Sequence, residues 1–249
     1  MNLLPDAGAA LRGQDYARYT AADRQVWQTL FERQMRTLPA VASRRFLDGL
    51  PGVAFRADKI PDFAEVNPLL DQATGWGLVA VPGIVDNHTF FELLAARRFP
   101  ATTWLRTPAQ LDYLEEPDMF HDVFGHVPLL TDPYFADFLR AVGALALQYL
   151  HDAHAVELLS RLYWFTAEFG LIVEQDQLRI CGAGILSSAG ETTFCLGNGA
   201  TRRPFDVADV LATPYVKERM QDVYFVIESY AQLAAAVPAL EAELQRLVH

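Results

Sequence analysis

Two histidines, His121 and His126, stand five positions apart in the middle of the chain, within the stretch FHDVFGHVP at residues 120–128. An acidic run precedes them, and aliphatic and aromatic residues surround them. Imidazole is the commonest metal ligand in proteins, and a polar side chain among apolar neighbours is costly unless it has a partner. The pair therefore indicates a metal site, with two core histidines bonded to backbone groups as the alternative.

The spacing of these histidines places a condition on the backbone. On an uninterrupted α-helix, residues five apart differ by about 140° around the axis, so the two rings would not share a face. Pro128 lacks an N–H and disfavours the α conformation of Val127, and Gly125 permits a turn. We therefore expect the helix to end between the histidines, with His121 on its last turn and His126 on the exit.

A third candidate ligand, Glu168, stands inside the apolar run VELLSRLYWFTAEFGLI at residues 156–172. A carboxylate in such surroundings must be paired or must coordinate a metal. With the two histidines it completes the two-His, one-carboxylate set typical of non-haem iron, which leaves coordination positions open. Zinc hydrolases use the same ligand types, but their H-E-x-x-H signature has histidines at i and i+4, which this chain lacks.

An isolated cation, Arg106, ends the strand predicted over residues 101–106. Burying a guanidinium without an anion is costly, and its fork matches a carboxylate in two parallel hydrogen bonds. Two interpretations stay open at this point. The partner is either the carboxylate of a ligand or an internal Asp or Glu.

Composition limits the classes of protein and partner. The 249 residues, 51% of them hydrophobic, are enough for the core of one domain. A formal net charge of −11 argues against nucleic acid and anionic membranes as partners. No segment has the length of a membrane span and the first residues lack a signal-peptide pattern, so we expect a cytoplasmic protein. Cys181 and Cys195 have no CxxC partner and are predicted to be core thiols.

Helical periodicity dominates the chain after residue 18. Residues 1–18, with several small residues, are predicted to form a flexible arm. The first helix has an N-cap at Thr20, with Asp23 as the partner of a capping box. Further helices are predicted over residues 40–50, from residue 61, and over residues 88–98, 133–150 and 156–172, with short strands over residues 76–81 and 101–106.

Three stretches, HDVFGHVPLL, LYWFTAEFGL and GAGILSSAGE, resemble those of the pterin-dependent aromatic amino acid hydroxylases, above all the short bacterial members that act on phenylalanine. The resemblance runs from about residue 19 to residue 230. It implies a mainly α fold with short β-strands, as a single catalytic domain over residues 19–249. The regulatory domain and the tetramerisation helix of animal members do not fit in this chain, so we expect a monomer.

The resemblance also implies roles for individual residues. It assigns iron to His121, His126 and Glu168. It places substrate contacts at Arg106, for the carboxylate, at Trp164, in the aromatic pocket, and at Ser187 and Ser188. It places the pterin against Gly83, Ile84 and Val85, stacked on Phe90 and reached through water by Asp122, where animal members have Glu. Asp118 would orient a ligating imidazole. Alternatively, Trp164 and Phe90 are core residues and the two serines are turn residues.

The reaction that the resemblance implies needs Fe(II), a tetrahydropterin and O2, and our first choice is the hydroxylation of L-phenylalanine to L-tyrosine. The same chemistry on tryptophan or tyrosine is the main alternative, because small differences in pocket shape discriminate these substrates and no short motif reports them. Two further alternatives are a zinc hydrolase with Asp122 as its base and a non-catalytic sensor that binds an aromatic amino acid.

Overall fold

The computed structural model describes residues 13–112, 114, 116–217 and 219–248. The helices are α1 (Ala21–Met35), α2 (Leu38–Val41), α3 (Arg44–Gly52), α4 (Phe63–Thr74), α5 (Asn87–Ala95), α6 (Pro133–Tyr149), α7 (Ala153–Tyr163), α8 (Ala183–Leu186), α9 (Ala189–Phe194), α10 (Val207–Ala212), α11 (Tyr230–Ala235) and α12 (Val237–Val248). The strands are β1 (Gly77–Val81), β2 (Arg98–Thr102), β3 (Leu171–Glu174), β4 (Gln177–Ile180), β5 (Thr201–Pro204) and β6 (Val223–Ile227). Two π-helical segments, Phe120–His126 and Trp164–Glu168, and three 3-10 turns, Tyr16–Arg18, Pro108–Gln110 and Val127–Thr131, complete the regular structure of the described residues.

The strands form two small sheets beside the helices, so the predicted mainly α fold with short strands is confirmed. β1 and β2 pair in parallel, and α5 connects them. The second sheet has the order β4-β3-β6-β5, with an antiparallel β3–β4 hairpin and parallel pairs elsewhere. Among the described residues, the helices are too short or too polar to span a membrane.

The start of α1 confirms the predicted capping box. The Thr20 Oγ accepts the Asp23 N–H at 3.2 Å, and the Asp23 carboxylate accepts the Thr20 N–H at 2.8 Å. Most other predicted elements are present with shifted bounds, namely α4, β1, α5 and α6. Side-chain caps therefore locate helix starts well in this chain.

The segment predicted as one helix over residues 40–50 contains a break between α2 and α3, so that prediction is wrong. Ser43 has extended backbone at the break and caps α3, its Oγ accepting the Phe46 N–H at 3.3 Å. The Ser43 N–H donates to the carbonyl of Ile180, the last residue of β4, at 2.8 Å. A tertiary hydrogen bond thus overrides the local helical pattern.

Strand β2 lies earlier in the chain than the strand predicted over residues 101–106. It pairs with β1, and the last pair joins Val81 to Thr102. Because Pro82 follows β1 and cannot donate to a strand ladder, residues after Thr102 have no strand to pair with. Arg106 therefore lies outside the sheet.

The helix predicted over residues 156–172 also ends early. α7 continues into the second π-helical segment, and β3 begins at Leu171. Gly170 separates the two, and a Cβ at this glycine would overlap the carbonyl oxygen of Thr166. Leu171 and Ile172 therefore belong to a strand that pairs with β4 and β6.

Residues 1–12 of the predicted flexible arm lie outside the described residues, so the arm stays a prediction. Residues 13–18 contact the rest of the protein. The Gln14 side chain donates to the Pro61 carbonyl at 2.9 Å and accepts the Phe63 N–H at 2.8 Å. These bonds tie the start of the described chain to the start of α4.

Stacked aromatic rings hold the first π-helical segment against α1 and α3. Phe120 and Phe124 stack with centroids 4.6 Å apart. Trp27 of α1 meets Phe120 edge-on at 5.4 Å, and Phe46 of α3 meets Phe124 at 5.7 Å. All four rings are fully buried, so one face of this segment is fixed by the core.

Helices α5 and α6 approach each other closely at Gly143. A Cβ at this position would lie 2.6 Å from the Ala95 nitrogen and 2.8 Å from the Leu94 Cβ. Because α5 connects β1 to β2, this contact also sets where both strands lie.

Replacing Gly143 by Ala should lower the free energy of unfolding by about 1–3 kcal/mol, because α5 must move to admit the methyl group. Urea unfolding at equilibrium measures it. Gly52→Ala is the control, since a Cβ there would meet only the Thr131 Cγ2, at 3.9 Å; we expect a change within about 0.5 kcal/mol. Equal stability of the two variants would contradict the close helix contact.

Candidate metal centre and its cavity

The first π-helical segment carries both histidines on one side. Hydrogen bonds in a π-helix join residues five apart, so such residues lie roughly one above the other. The ring centroids of His121 and His126 are 5.2 Å apart. The prediction that the helix ends between them is wrong, because the helix widens and continues, and Pro128 follows in the next 3-10 turn. The wider turn, and not a break in the helix, brings the two rings to one side.

Glu168 ends the second π-helical segment and faces both histidines. Its Oε1 lies 3.1 Å from the His126 Nε2 and its Oε2 lies 3.4 Å from the His121 Nε2. One ligand atom from each of the three residues lies within 4.8 Å of the others. The structure therefore brings together the three side chains that the sequence predicts as iron ligands.

Charge coupling sets the protonation of this cluster. Burial would raise the pKa of Glu168, but the neighbouring His126 and His121 outweigh it and hold that pKa well below its usual range. Burial would likewise lower the pKa of His121, yet the Glu168 carboxylate raises it to about 9. Glu168 is thus an anion that attracts a cation to the space it shares with the imidazoles. Metal ions compete with protons for such ligands.

The hydroxyl of Ser187 orients the His121 ring. It donates to the Ala183 carbonyl at 2.8 Å, so its lone pair is available to the His121 Nδ1–H at 3.0 Å. A hydrogen bond at one imidazole nitrogen fixes the tautomer and leaves the lone pair of the other nitrogen for a metal. The Nε2 of His121, on the side of Glu168, is therefore the candidate ligand atom.

The His126 ring is held by packing instead. It is 2% exposed, and its Nδ1 has no hydrogen-bond partner among the described residues. The Phe99 ring lies 4.7 Å from it, and the Tyr163 ring lies 6.2 Å away in near-parallel orientation. Packing against two aromatic side chains thus orients the His126 ring, whereas the hydrogen bond to Ser187 orients the His121 ring.

Arg106 and Asp118 form a buried, two-pronged ion pair. The Arg106 Nε and Nη2 donate to the two carboxylate oxygens at 2.9 and 2.8 Å, and Asp118 is 0% exposed. The internal salt bridge that the sequence left open is present. Asp118 does not contact an imidazole as expected; its carboxylate accepts the backbone N–H of His121 at 3.2 Å, because the chain turns into the π-helix at that point.

A cavity of about 250 Å3 opens over the three candidate ligands, which line it. The residues predicted to contact the pterin line it too: Gly83, Ile84, Val85, Phe90 and Asp122. Trp164 lines it as well, whereas Arg106, Ser187 and Ser188 are not among the described lining residues. The sequence analysis missed several lining residues, among them Phe99, Thr102, Ser160, Tyr163, Tyr215 and Lys217.

Asp122 is clamped at the cavity wall by the last residue of β2. Its Oδ2 accepts both the N–H and the hydroxyl of Thr102 at 2.8 Å. Burial raises the pKa of Asp122, against the opposing effects of His121 and Thr102. Because Thr102 occupies one oxygen, the other is the acceptor that Asp122 offers to a ligand.

Trp164 stands between two aromatic rings. Tyr215 stacks on it at 4.5 Å with 20° between the planes, and Phe169 lies 4.6 Å away. Tyr163, next to it in the motif LYWFTAEFGL, could have been found from that motif, whereas Tyr215 and Lys217 lie in a loop without any sequence signal.

The two serines of GAGILSSAGE have different positions. Ser187 is buried against His121, as described above. Ser188 caps α9, its Oγ accepting the Glu191 N–H at 3.3 Å. The turn-residue interpretation therefore fits Ser188, and the predicted place near the iron fits Ser187.

Replacing Ser187 by Ala should weaken metal binding by about 10- to 100-fold, because the His121 Nδ1–H loses its acceptor. Anaerobic titration calorimetry with Fe(II), or with Co(II) as an air-stable probe, measures it. Ser188→Ala is the matched control, which removes a helix cap and costs about 1 kcal/mol of stability but leaves His121 untouched. Equal metal affinity in the two variants would refute the orienting role of Ser187.

Replacing Arg106 by Ala should lower the free energy of unfolding by about 3–5 kcal/mol, because Asp118 is left buried and unpaired. Arg203→Ala serves as the control. Its partner Asp209 lies 3.1 Å away and both side chains are more than 40% exposed, so the expected loss is about 0–1 kcal/mol. Similar losses in guanidinium unfolding would contradict the structural role of the buried pair.

Comparison with known proteins agrees with this site. Phenylalanine-4-hydroxylase of Chromobacterium violaceum is 47% identical over 234 residues, which cover 94% of this chain and 78% of that protein. The enzyme of the same name from Ralstonia nicotianae is 49% identical over 221 residues, covering 88% of this chain and 70% of that protein.

Solved structures agree over nearly the whole chain. The crystal structure of the C. violaceum enzyme with bound iron(III) and 7,8-dihydrobiopterin superposes with a TM-score of 0.91 at 47% identity, covering 98% of this chain and 89% of that one. The iron- and phenylalanine-bound structure has a TM-score of 0.89 at 44% identity, covering 96% and 89%. A family model described as biopterin-dependent aromatic amino acid hydroxylase matches residues 12–249. The chain belongs to the biopterin-dependent aromatic amino acid hydroxylases.

Proposed function

We propose that the protein hydroxylates L-phenylalanine to L-tyrosine, with Fe(II), a tetrahydropterin and O2. The observation that carries this proposal is the convergence of His121, His126 and Glu168 at a cavity with aromatic walls. Two imidazoles and one carboxylate leave coordination positions open for reactants. Relatives at 47% and 49% identity carry the name phenylalanine-4-hydroxylase, which favours phenylalanine among the aromatic amino acids.

The donor set suits ferrous iron. Glu168 is ionised, and because Nδ1 of His121 bonds to Ser187, Nε2 is the nitrogen that gives up its proton to a metal. When bound, the iron, the tetrahydropterin and O2 together supply the oxidising chemistry. What the protein adds is position and the exclusion of water.

The pterin is proposed to lie along residues 83–85, with its ring against Phe90. These residues and Asp122 line the cavity. Gly83 has open space where a Cβ would be, so the backbone there is accessible to a flat ligand. The Asp122 oxygen that Thr102 leaves unoccupied is the acceptor for a pterin N–H, reached through a water molecule.

The substrate ring is proposed to pack against Trp164, which Tyr215 and Phe169 hold in place. The substrate carboxylate is proposed to bind Arg106. Asp118 occupies the Nε and Nη2 of that guanidinium, and Nη1 has no hydrogen bond among the described residues. The buried Asp118 carboxylate thus fixes the orientation of the Arg106 guanidinium and leaves its Nη1 side for the substrate carboxylate.

Other functions have less support. The amino acid hydroxylase family and the iron-bound relatives disfavour a zinc hydrolase with Asp122 as its base, and the intact ligand set disfavours a sensor. Tryptophan or tyrosine as the substrate is the remaining alternative. A monomeric state and a cytoplasmic location stay predictions.

Anaerobic reconstitution with Fe(II), followed by tetrahydropterin and air, tests the proposal when L-phenylalanine, L-tryptophan and L-tyrosine are supplied in parallel. We expect tyrosine only when iron, pterin and phenylalanine are all present. Mass spectrometry of the products measures it. A larger yield from tryptophan would reassign the substrate, and no oxygenated product from any of the three would reject the function.

Replacing His121, His126 or Glu168 by Ala should abolish iron retention and product formation with little change in fold, because each removes one of three ligands. Iron per chain after desalting, the circular dichroism spectrum and turnover measure it. His154→Ala, at an exposed position on α7, is the control and should retain all three properties. Normal turnover by any of the three ligand variants would refute the assigned set.

A further inference from the structure

The loop between α10 and β6 forms part of the cavity wall. Two of its side chains, Tyr215 and Lys217, line the cavity, and its described residues, 213–217 and 219–222, form no helix or strand. The position of such a segment depends on its contacts with neighbouring elements. Several of these contacts are made by Gln221.

The Gln221 side chain joins the loop to Trp164. It is buried, with 4% of its surface exposed. Its Oε1 accepts the indole N–H of Trp164 at 2.9 Å, and its Nε2 donates to the carbonyls of Val216 and Arg219 at 2.8 and 3.3 Å. Because an indole only donates and carbonyls only accept, the position requires both halves of a primary amide.

Further contacts hold the loop in the same position. Tyr215 stacks on the face of Trp164 while Gln221 binds its edge. The backbone N–H of Gln221 donates to the Glu191 carboxylate of α9 at 3.3 Å, and the Tyr224 hydroxyl donates to the same carboxylate. The loop is therefore anchored on one side to the cavity wall and on the other to a buried acid.

Space exists for the loop to occupy a different position. A second cavity of about 200 Å3 lies along the loop, with Phe165, Val216 and Met220 among its lining residues. If the amide contacts were lost, the loop could shift into this space and carry Tyr215 away from Trp164. The first cavity would then widen on the side of its aromatic wall.

We propose that Gln221 is a positioning residue that makes the cavity prefer phenylalanine over tryptophan, by holding Trp164 and Tyr215 in one arrangement. The inference rests on the proposed function, since it names what determines the substrate preference of that site. A fixed wall limits the room for a ring system larger than phenyl. When Gln221 no longer holds Trp164 and Tyr215, the cavity accommodates the larger indole ring of tryptophan more easily.

The test compares Gln221→Leu, Gln221→Glu, Trp164→Phe and the double variant Trp164→Phe/Gln221→Leu, all loaded with Fe(II). We expect Gln221→Leu to lower the ratio of kcat/KM for phenylalanine to kcat/KM for tryptophan about tenfold, mainly through KM. Gln221→Glu should not rescue it, because a carboxylate cannot donate to Val216 and Arg219. In the Trp164→Phe background, Gln221→Leu should change the ratio less than it does in the wild type, because the indole N–H is already absent and only the bonds to the Val216 and Arg219 carbonyls are lost.

Two controls separate positioning from general destabilisation. Gln25→Leu, at an exposed position on α1, should leave the ratio unchanged. Iron affinity, measured as for Ser187→Ala, should be the same in Gln221→Leu and the wild type. Equal effects of Gln221→Leu with and without the Trp164 indole would overturn the proposal.

Two readouts do not depend on turnover. Limited trypsin digestion of the iron-loaded protein should cleave after Arg219 at least about tenfold faster in Gln221→Leu, as seen by fragment mass. Calorimetric dissociation constants for L-phenylalanine and L-tryptophan should change in the same direction as the kinetic ratio. Unchanged cleavage or an unchanged binding ratio would overturn the proposal. Absence of product from the wild type would instead reject the proposed function, and these two readouts would still decide the role of Gln221.

Discussion

Two histidines five residues apart cannot face one ion from a regular α-helix, and in this chain a wider, π-helical turn brings them together. The remainder of the site depends on this widening. Long π-helical runs are rare, so tertiary packing must maintain this one. The stacked pair Phe120 and Phe124 fixes one face. On another side, a Cβ at Gly125 would lie 3.0 Å from Ala183 of α8. The second π-helical segment ends where the Glu168 carbonyl packs on Gly182, so both segments are held through the same short region around α8.

The polar residues around the candidate metal centre each have more than one contact. Asp118 binds the Arg106 fork and the backbone start of the π-helix, so the proposed substrate anchor and the ligand segment share one buried carboxylate. Ser187 links His121 to α8. Glu191 connects α9 to the loop that carries Tyr215. The candidate metal ligands and the proposed substrate wall are thus linked through the consecutive residues Ser187, which bonds to His121, and Ser188, which caps α9.

Sequence reasoning found the three candidate ligands that the structure brings together, because charged or polar side chains in apolar runs need a partner, which is a local property of the residues. It found the helix start at Thr20 because a capping box is likewise a local pattern. It did not find the π-helices, because the residue types that favour α- and π-helix are alike and packing decides between them. It misplaced β2 because the register depends on β1, and it missed Gln221 because no motif marks that loop. The position of Arg106 was open in the sequence, and only tertiary structure showed its partner to be Asp118.

The two imidazoles differ in a way that would affect the oxidation state of an iron bound between them. His121 has an acceptor for its Nδ1–H, while the Nδ1 of His126 has no acceptor among the described residues and its ring packs against Phe99. An acceptor at Nδ1 makes an imidazole a stronger donor to a metal, and stronger donors favour the higher oxidation state. The apolar setting of His126 would therefore favour the ferrous form of an iron held by these residues. A substitution at Phe99 would then change the reduction potential without a change in any coordinating atom.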